Sequence, residues 1–333
     1  MLTRKITDAL CNCLVYSTAR QEDAEAEWLA ARTRGIGGSD IGAICGVSPF
    51  SSARQVYLSK TGQFPDALQH NEASQERMHF GHMLEPIVAD EYAKRSGQKL
   101  ININATLQHK EFPWALANID RLVVDDDGNP IGVLECKTTG EYNNDDWDSG
   151  EILLSYIYQL NWYLWVLDLE MGAFACLVGG NKFYSYVVYR NDELLRDTII
   201  PAANKFWFEN VLALKEPEMQ AADTVFANSI YSSVVKNSEM LLQDDTDNEL
   251  LDTIFTCKAR IKELTVIMEE AQNRIKDRLK DVEIGYARDY TVKWSPRAQM
   301  RVDTEKLKTL FPQVHSEVLK KIEFRAMYVT GGI

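Results

Sequence analysis

Between residues 73 and 96 the apolar positions Met83, Leu84, Ile87, Val88 and Tyr92 recur at helical spacing, and Gly97 follows where a helix would end. The spacing predicts a first long helix. Beyond it the rhythm changes. Leu100–Gln108 alternates apolar and polar residues, and Trp114–Ile119, Arg121–Val124 and Ile131–Lys137 are short apolar runs around a turn at Asp127-Gly128-Asn129. These read as strands of one sheet. Glu151–Val166 returns to helical spacing, Gly172–Val178 and Phe183–Arg190 flank the hairpin signal Gly179-Gly180-Asn181, and Asp192–Leu214 closes the unit as a helix. The order α-β-β-β-α-β-β-α describes an α/β domain.

Upstream, a helix is expected near Asp23–Ala31, then a small-residue turn over Arg34-Gly35-Ile36-Gly37-Gly38-Ser39-Asp40, then short helices at Ile41–Cys45 and Ala53–Lys60. Downstream, Leu250, Ile254, Cys257, Ile261, Leu264, Met268, Ala271 and Ile275 follow alternating four- and three-residue steps, a heptad face on a helix of about 50 Å. Whether that face packs on its own chain or on a neighbour stays open. Tyr286–Trp294 and Phe324–Val329 read as strands, Thr304–Phe311 and Gln313–Lys320 as short helices. The expected organisation is a lead-in over 1–22, the α/β domain over 23–215, a polar connector over 216–247 and a long helix with a small α+β module over 248–333.

A hydrophobic share of 45% and a charged share of 26% in 333 residues fit a globular protein and exclude a fibrous or wholly disordered one. No run of about eighteen apolar residues is present, so no membrane partner is expected. Six scattered cysteines suit a reducing compartment, and a cytoplasmic location is expected. A net charge of −13 argues against nucleic acid until it is divided. From Cys257 onward there are 16 Lys and Arg against 11 Asp and Glu, leaving 20 against 38 in the rest. An acidic body can still hold DNA if some of its carboxylates bind divalent ions and a few arginines line the path.

The chemistry concentrates in Asn118-Ile119-Asp120-Arg121 and Leu134-Glu135-Cys136-Lys137. Strand alternation sends Glu135 and Lys137 to one face and Cys136 to the other. If Asp120 ends the neighbouring strand, its carboxylate meets that of Glu135, and two carboxylates held together call for a cation. Hard oxygen ligands suit Mg²⁺, with Mn²⁺ able to replace it, and such an ion would activate a water and polarise a phosphoryl oxygen. Glu85, in Phe80-Gly81-His82-Met83-Leu84-Glu85-Pro86, is a candidate further ligand. Gln159, on an otherwise apolar helix face, is a candidate water-positioning group. The Gly-Ile-Gly-Gly-Ser turn lacks the Gly-Lys-Ser/Thr of a nucleotide loop, so no ATP is expected.

Taken in order, Glu85, Asp120, Glu135-x-Lys137 and Gln159 resemble the PD-(D/E)xK nuclease superfamily. Trp28-x₃-Arg32-x-Arg34-Gly35-Ile36-Gly37-Gly38-Ser39-Asp40-Ile41 followed by Phe80-Gly81-x₃-Glu85 resembles, more narrowly, the YqaJ-type phage recombination nucleases related to lambda exonuclease. The resemblance covers about residues 28–210. It implies a restriction-endonuclease-like core, a central mixed sheet flanked by helices. It further implies a processive 5′→3′ exonuclease on linear duplex DNA that leaves 3′ overhangs for a single-strand annealing protein, in a phage- or prophage-carrying bacterial cell. By the same resemblance Asp120, Glu135, Glu85 and the Cys136 backbone carbonyl hold metal, Lys137 and Gln159 manage the attacking water, and Arg32, Ser39, Arg34 and Asn118 meet the DNA 5′-phosphate. A homo-oligomeric, trimeric ring is implied as well. Ile119 stands where the superfamily motif carries proline, and no late cysteine cluster exists for an iron–sulfur centre, so none is expected. Two other readings remain at this stage, a structure-specific or restriction-like endonuclease and a non-catalytic DNA-end-binding protein.

Overall fold

The protein is described by a computed structural model, covering residues 10, 13–17, 27, 30–65, 72–242, 244–320 and 325–330. Most of the lead-in, most of the helix expected at Asp23–Ala31, Trp28 and Phe324 lie outside these residues; of the lead-in, Leu10 is buried and Cys13–Ser17 forms a strand. The chain forms two compact units, Met1–Ile230 and Tyr231–Ile333.

In the first unit, five strands form one mixed sheet: β2 (Lys99–Ile101), β5 (Arg121–Val124), β6 (Pro130–Thr139), β7 (Met171–Val178) and β8 (Lys182–Tyr189), in the order β2-β5-β6-β7-β8. The β6–β7 pair is parallel and the other three are antiparallel. Parallel neighbours need a crossover, and the Leu154–Leu167 helix supplies it. A smaller antiparallel sheet joins β1 (Cys13–Ser17), β3 (Thr106–His109) and β4 (Leu116–Ala117). This mixed sheet flanked by helices is the architecture expected from the sequence. One detail differs. Leu100–Gln108 is not a single strand, because residues 102–105 leave the ladder with Ile103 and Ala105 buried, and its two ends belong to different sheets.

The inner strands β5, β6 and β7 carry runs of buried residues that face both sides of the sheet. On one face Val88, Ala89 and Tyr92 of the Glu72–Ser96 helix pack on Val123, Leu134, Ala173 and Ala175. On the other, Leu160, Trp162 and Leu164 of the crossover helix join a larger core with Leu122, Val133 and Phe174. The Glu72–Ser96 helix does not bury all five periodic residues, because Val88, Ala89 and Tyr92 set the facing stripe and leave Met83 61% and Ile87 57% exposed. Gly97 ends this helix at φ +73°. Gly179 and Gly180 turn β7 into β8 at φ +59° and +76°, conformations that side chains rarely adopt.

The first unit runs to Ile230 rather than to the expected residue 215. Buried Asp223 accepts hydrogen bonds from Ser52 Oγ at 2.5 Å and Gln55 Nε2 at 2.8 Å, Glu216 pairs with Arg54, and Phe226 stacks at 5.8 Å from Phe64. Those partners lie some 160 residues upstream, so a polar local sequence concealed them.

In the second unit the Asp245–Leu279 helix runs for 35 residues. Its heptad face is largely open, with Leu250, Ile261, Leu264 and Met268 exposed. The strand expected at Tyr286–Trp294 is a hairpin instead, β9 (Ile284–Ala287) and β10 (Tyr290–Lys293), turning where Arg288 takes φ +46°. Short helices follow at Thr304–Leu310 and Pro312–Val318, and residues 325–330 carry no strand. No helix among the described residues is long and apolar enough to cross a membrane.

Candidate active site

β5 and β6 are antiparallel with Arg121 opposite Leu134, which puts Asp120, just before β5, level with the middle of β6. The backbone N–H of Cys136 donates to Asp120 Oδ2 at 2.7 Å and fixes that carboxylate beside Glu135. Alternation along β6 works as expected. Leu134 and Cys136 face the Glu72–Ser96 helix, while Glu135 and Lys137 meet the crossover helix. There Lys137 Nζ donates to Glu135 Oε1 at 2.8 Å and to Gln159 Oε1 at 3.1 Å, and Gln159 Nε2 donates to the same Glu135 oxygen at 2.6 Å. The Lys137 ammonium also lies 4.5 Å from the centre of the Tyr156 ring.

Glu85, Asp120, Glu135 and Cys136 line one cleft of about 160 Å³, with Met78, Gly81, His82 and Thr138 at its other walls. Glu85 is committed there to Arg121, whose Nη1 lies 2.5 Å from Glu85 Oε1 and also donates to the Asp120 backbone carbonyl. As they stand, no three acidic, histidine or cysteine side chains among the described residues gather closely enough to hold an ion. Asp120 and Glu135 are gathered; Glu85 is turned toward a guanidinium.

Electrostatics mark the same cluster. Burial, then the charges of Glu135 and Glu85, push the Asp120 carboxyl well above the ordinary range. For Lys137 burial opposes the charge, yet Glu135 and Asp120 outweigh it and raise the ammonium above the usual lysine value. Lys137 is therefore a cation at neutral pH, not a free base. Burial and the nearby carboxylates raise the Cys136 thiol, which stays protonated and offers only its backbone. Glu135 Oε2 is buried with no hydrogen-bond partner among the described residues. A buried carboxylate oxygen without a donor is costly, and a cation is what such an atom lacks. Two hard oxygen donors, one of them orphaned, fit Mg²⁺ or Mn²⁺.

A second cluster forms at the small-residue turn. Arg32 Nη2 donates to Ser39 Oγ at 2.9 Å, and beneath them Lys60 Nζ reaches Asp40 Oδ2 at 2.7 Å and the Arg32 carbonyl at 2.8 Å. Burial raises the Asp40 pKa, but the charges of Lys60 and Arg32 prevail and lower it. Arg34 is exposed, and Asn118 donates to Thr106 Oγ1 at 2.8 Å. The structure thus joins Arg32 to Ser39 and does not join Arg34 or Asn118 to them. The turn packs tightly: a Cβ at Gly38 would fall 2.4 Å from the Tyr163 ring. Gly38→Ala is expected to cost about 1–3 kcal/mol through overpacking. Chemical denaturation of the first unit's transition measures it, and an unchanged midpoint would show that the ring yields freely.

Sequence reasoning missed Arg121, Lys60 and Tyr163. Arg121 had a signal, a cation adjoining a candidate metal carboxylate. Tyr163 had a weaker one, four residues after Gln159 on the same helix. Lys60 had none.

Residues 27–170 match the family model described as the YqaJ-like viral recombinase domain. The chain is also similar to YqaJ of Bacillus subtilis (strain 168), an uncharacterized protein, at 37% identity over 308 residues, covering 91% of this chain and 93% of that protein. The chain belongs to the YqaJ-like viral recombinase family. The family match spans every candidate residue from Arg32 to Gln159, and the similarity to the Bacillus YqaJ protein extends into the second unit. Among solved structures, an alkaline exonuclease from Laribacter hongkongensis is similar at 18% identity and TM-score 0.45, covering 57% of this chain and 94% of that one. A phage-related exonuclease from Haemophilus somnus 129PT is similar at 12% identity and TM-score 0.37, covering 54% of this chain and 96% of that one.

Proposed function

We propose that this YqaJ-family chain is a divalent-metal-dependent exonuclease that degrades the 5′-ended strand of linear duplex DNA and leaves 3′ overhangs for recombination by strand annealing. One observation carries the reading: Asp120, Glu135, Lys137 and Gln159 are gathered by hydrogen bonds at a cleft where a buried Glu135 oxygen has no donor among the described residues. A Mg²⁺ or Mn²⁺ ion held by Asp120, Glu135 and the Cys136 carbonyl would supply the charge that activates water and polarises the phosphoryl group. Lys137, whose ammonium Glu135 and Asp120 favour in the metal-free chain, brings a positive charge to the negative charge that builds on the phosphate. Gln159 locks Glu135 and Lys137 at a fixed separation, so neither reorganises during the reaction. Glu85 can join the donors through Oε2 while Oε1 stays with Arg121, or by releasing Arg121, which would then be free for a phosphate.

In the same reading Arg32 and Ser39 take the 5′-phosphate of the strand end, a guanidinium fork beside a hydroxyl. Arg32→Ala is expected to cut the preference for 5′-phosphorylated over 5′-hydroxyl ends by about 10–100-fold, the worth of a charge-assisted hydrogen bond. Competition between the two duplexes measures it, and an unchanged ratio clears Arg32 of the role. The reading also brings an oligomeric ring and an annealing-protein partner, both accessible to sedimentation of the full chain. Strand-resolved degradation in Mg²⁺ and in EDTA tests the whole. Loss of the 5′-ended strand of a linear duplex only with Mg²⁺ is expected, whereas cutting of a closed circle would make the protein an endonuclease.

A further inference from the structure

The Glu135–Lys137–Gln159 group is closed on its inner side by Tyr163, one turn beyond Gln159 on the crossover helix. The Gln159 amide nitrogen donates to Glu135 Oε1 at 2.6 Å and to the Tyr163 hydroxyl oxygen at 3.1 Å, while the amide oxygen accepts from Lys137 at 3.1 Å. Both amide N–H bonds are therefore placed, and so is the plane of the amide. Gln159 and Tyr163 are 8% and 3% exposed, so water cannot replace either partner without reorganising the site. On its other side the Tyr163 ring lies against Gly38, next to Ser39 and its bond from Arg32. Tyr163 touches both the amide at the cleft and the turn that carries the Arg32–Ser39 pair.

We propose that Tyr163 is a positioning residue whose hydroxyl holds the Gln159 amide plane, and through it the placement of Lys137 against Glu135. The proposal rests on the nuclease reading. Glu135 and Lys137 hold the amide from the cleft side only, one at its nitrogen and one at its oxygen, and both belong to the group that must be held. The hydroxyl takes the second N–H from the inner side and ties the amide plane to a residue outside that pair. Tyr163→Phe keeps the ring against Gly38 and removes only that tie.

The test compares wild type, Tyr163→Phe, Gln159→Ala, the double variant and Lys137→Ala on a 5′-phosphorylated linear duplex in Mg²⁺. Tyr163→Phe is expected to lower kcat about tenfold with KM unchanged, the scale of one hydrogen bond, and to lower Tm by a few degrees because the buried Gln159 N–H loses its acceptor. The double variant is expected to be no slower than Gln159→Ala, because Tyr163 acts through that amide; a merely structural role would multiply the two losses. A readout free of turnover is the exchange of the Gln159 side-chain amide protons in ¹⁵N spectra, assigned by their absence in Gln159→Ala. Faster exchange in Tyr163→Phe supports the proposal. Wild-type kcat in Tyr163→Phe, multiplicative losses or unchanged exchange overturns it. Wild-type cleavage by Lys137→Ala would overturn the nuclease reading and this proposal together, whereas a dead Lys137→Ala beside a fully active Tyr163→Phe overturns this proposal alone.

Discussion

Lys137→Ala is expected to lower the rate of DNA cleavage about 10³-fold, with the far-ultraviolet circular dichroism of the folded chain retained. Its ammonium is 2.8 Å from Glu135, 3.1 Å from Gln159 and 4.5 Å from the Tyr156 ring centre, a position held from three directions. Removing it deletes the fixed positive charge at the cleft and leaves Glu135, 4% exposed, without its ion partner. Breaking one half of a buried pair costs about 3 kcal/mol, so the variant should also melt earlier. Activity and stability fall together here. Single-turnover cleavage with saturating enzyme separates the chemical loss from any loss of DNA binding, and a wild-type single-turnover rate would remove Lys137 from the chemistry.

Asp120→Asn is expected to abolish cleavage to a similar degree and to do the opposite to stability. Burial, Glu135 and Glu85 raise the pKa of Asp120 in the folded protein above its ordinary 3.8. Between 3.8 and that raised value the folded chain binds more protons than the unfolded one, so stability falls as pH rises through this window. Above the window the metal-free protein carries the full repulsion. The amide of asparagine removes the charge and can still accept the Cys136 N–H. At neutral pH without metal the variant should therefore melt higher than wild type, by about 2–4 °C for each kcal/mol of repulsion relieved. At a pH below 3.8 the carboxyl of wild type is neutral in both states and the difference should vanish. Parallel melting curves across pH in EDTA, beside a nuclease assay in Mg²⁺, check both halves. An active Asp120→Asn, or one less stable at neutral pH and equally so in acid, would contradict the assignment.

What the sequence disclosed here followed the periodicity of its elements. Period two across Ile131–Lys137 was enough to separate Glu135 and Lys137 from Cys136, because side-chain alternation in a strand has no freedom. The turn at Asp127-Gly128-Asn129 was enough to bring Asp120 beside Glu135, and Gly97 and Gly179-Gly180 marked their chain reversals by a φ that few other residues accept. What stayed hidden depended on contacts remote in sequence. Asp223 reads as part of a polar connector until Ser52 and Gln55 are placed against it. The heading of Glu85 could not be read from helical spacing, since Arg121 arrives from a strand 36 residues later and takes the carboxylate for itself. Met83 and Ile87 share the helical period of the buried stripe yet lie on its far side, because periodicity gives a face and packing chooses its centre.

The central claim is that Asp120 and Glu135 hold a divalent cation. Calorimetric titration of Mn²⁺ into the metal-free full chain, beside Asp120→Asn, tests it most directly. Binding to wild type that is lost in the variant is the predicted result. Equal binding by both proteins, or none by wild type even with a DNA end present, would contradict it.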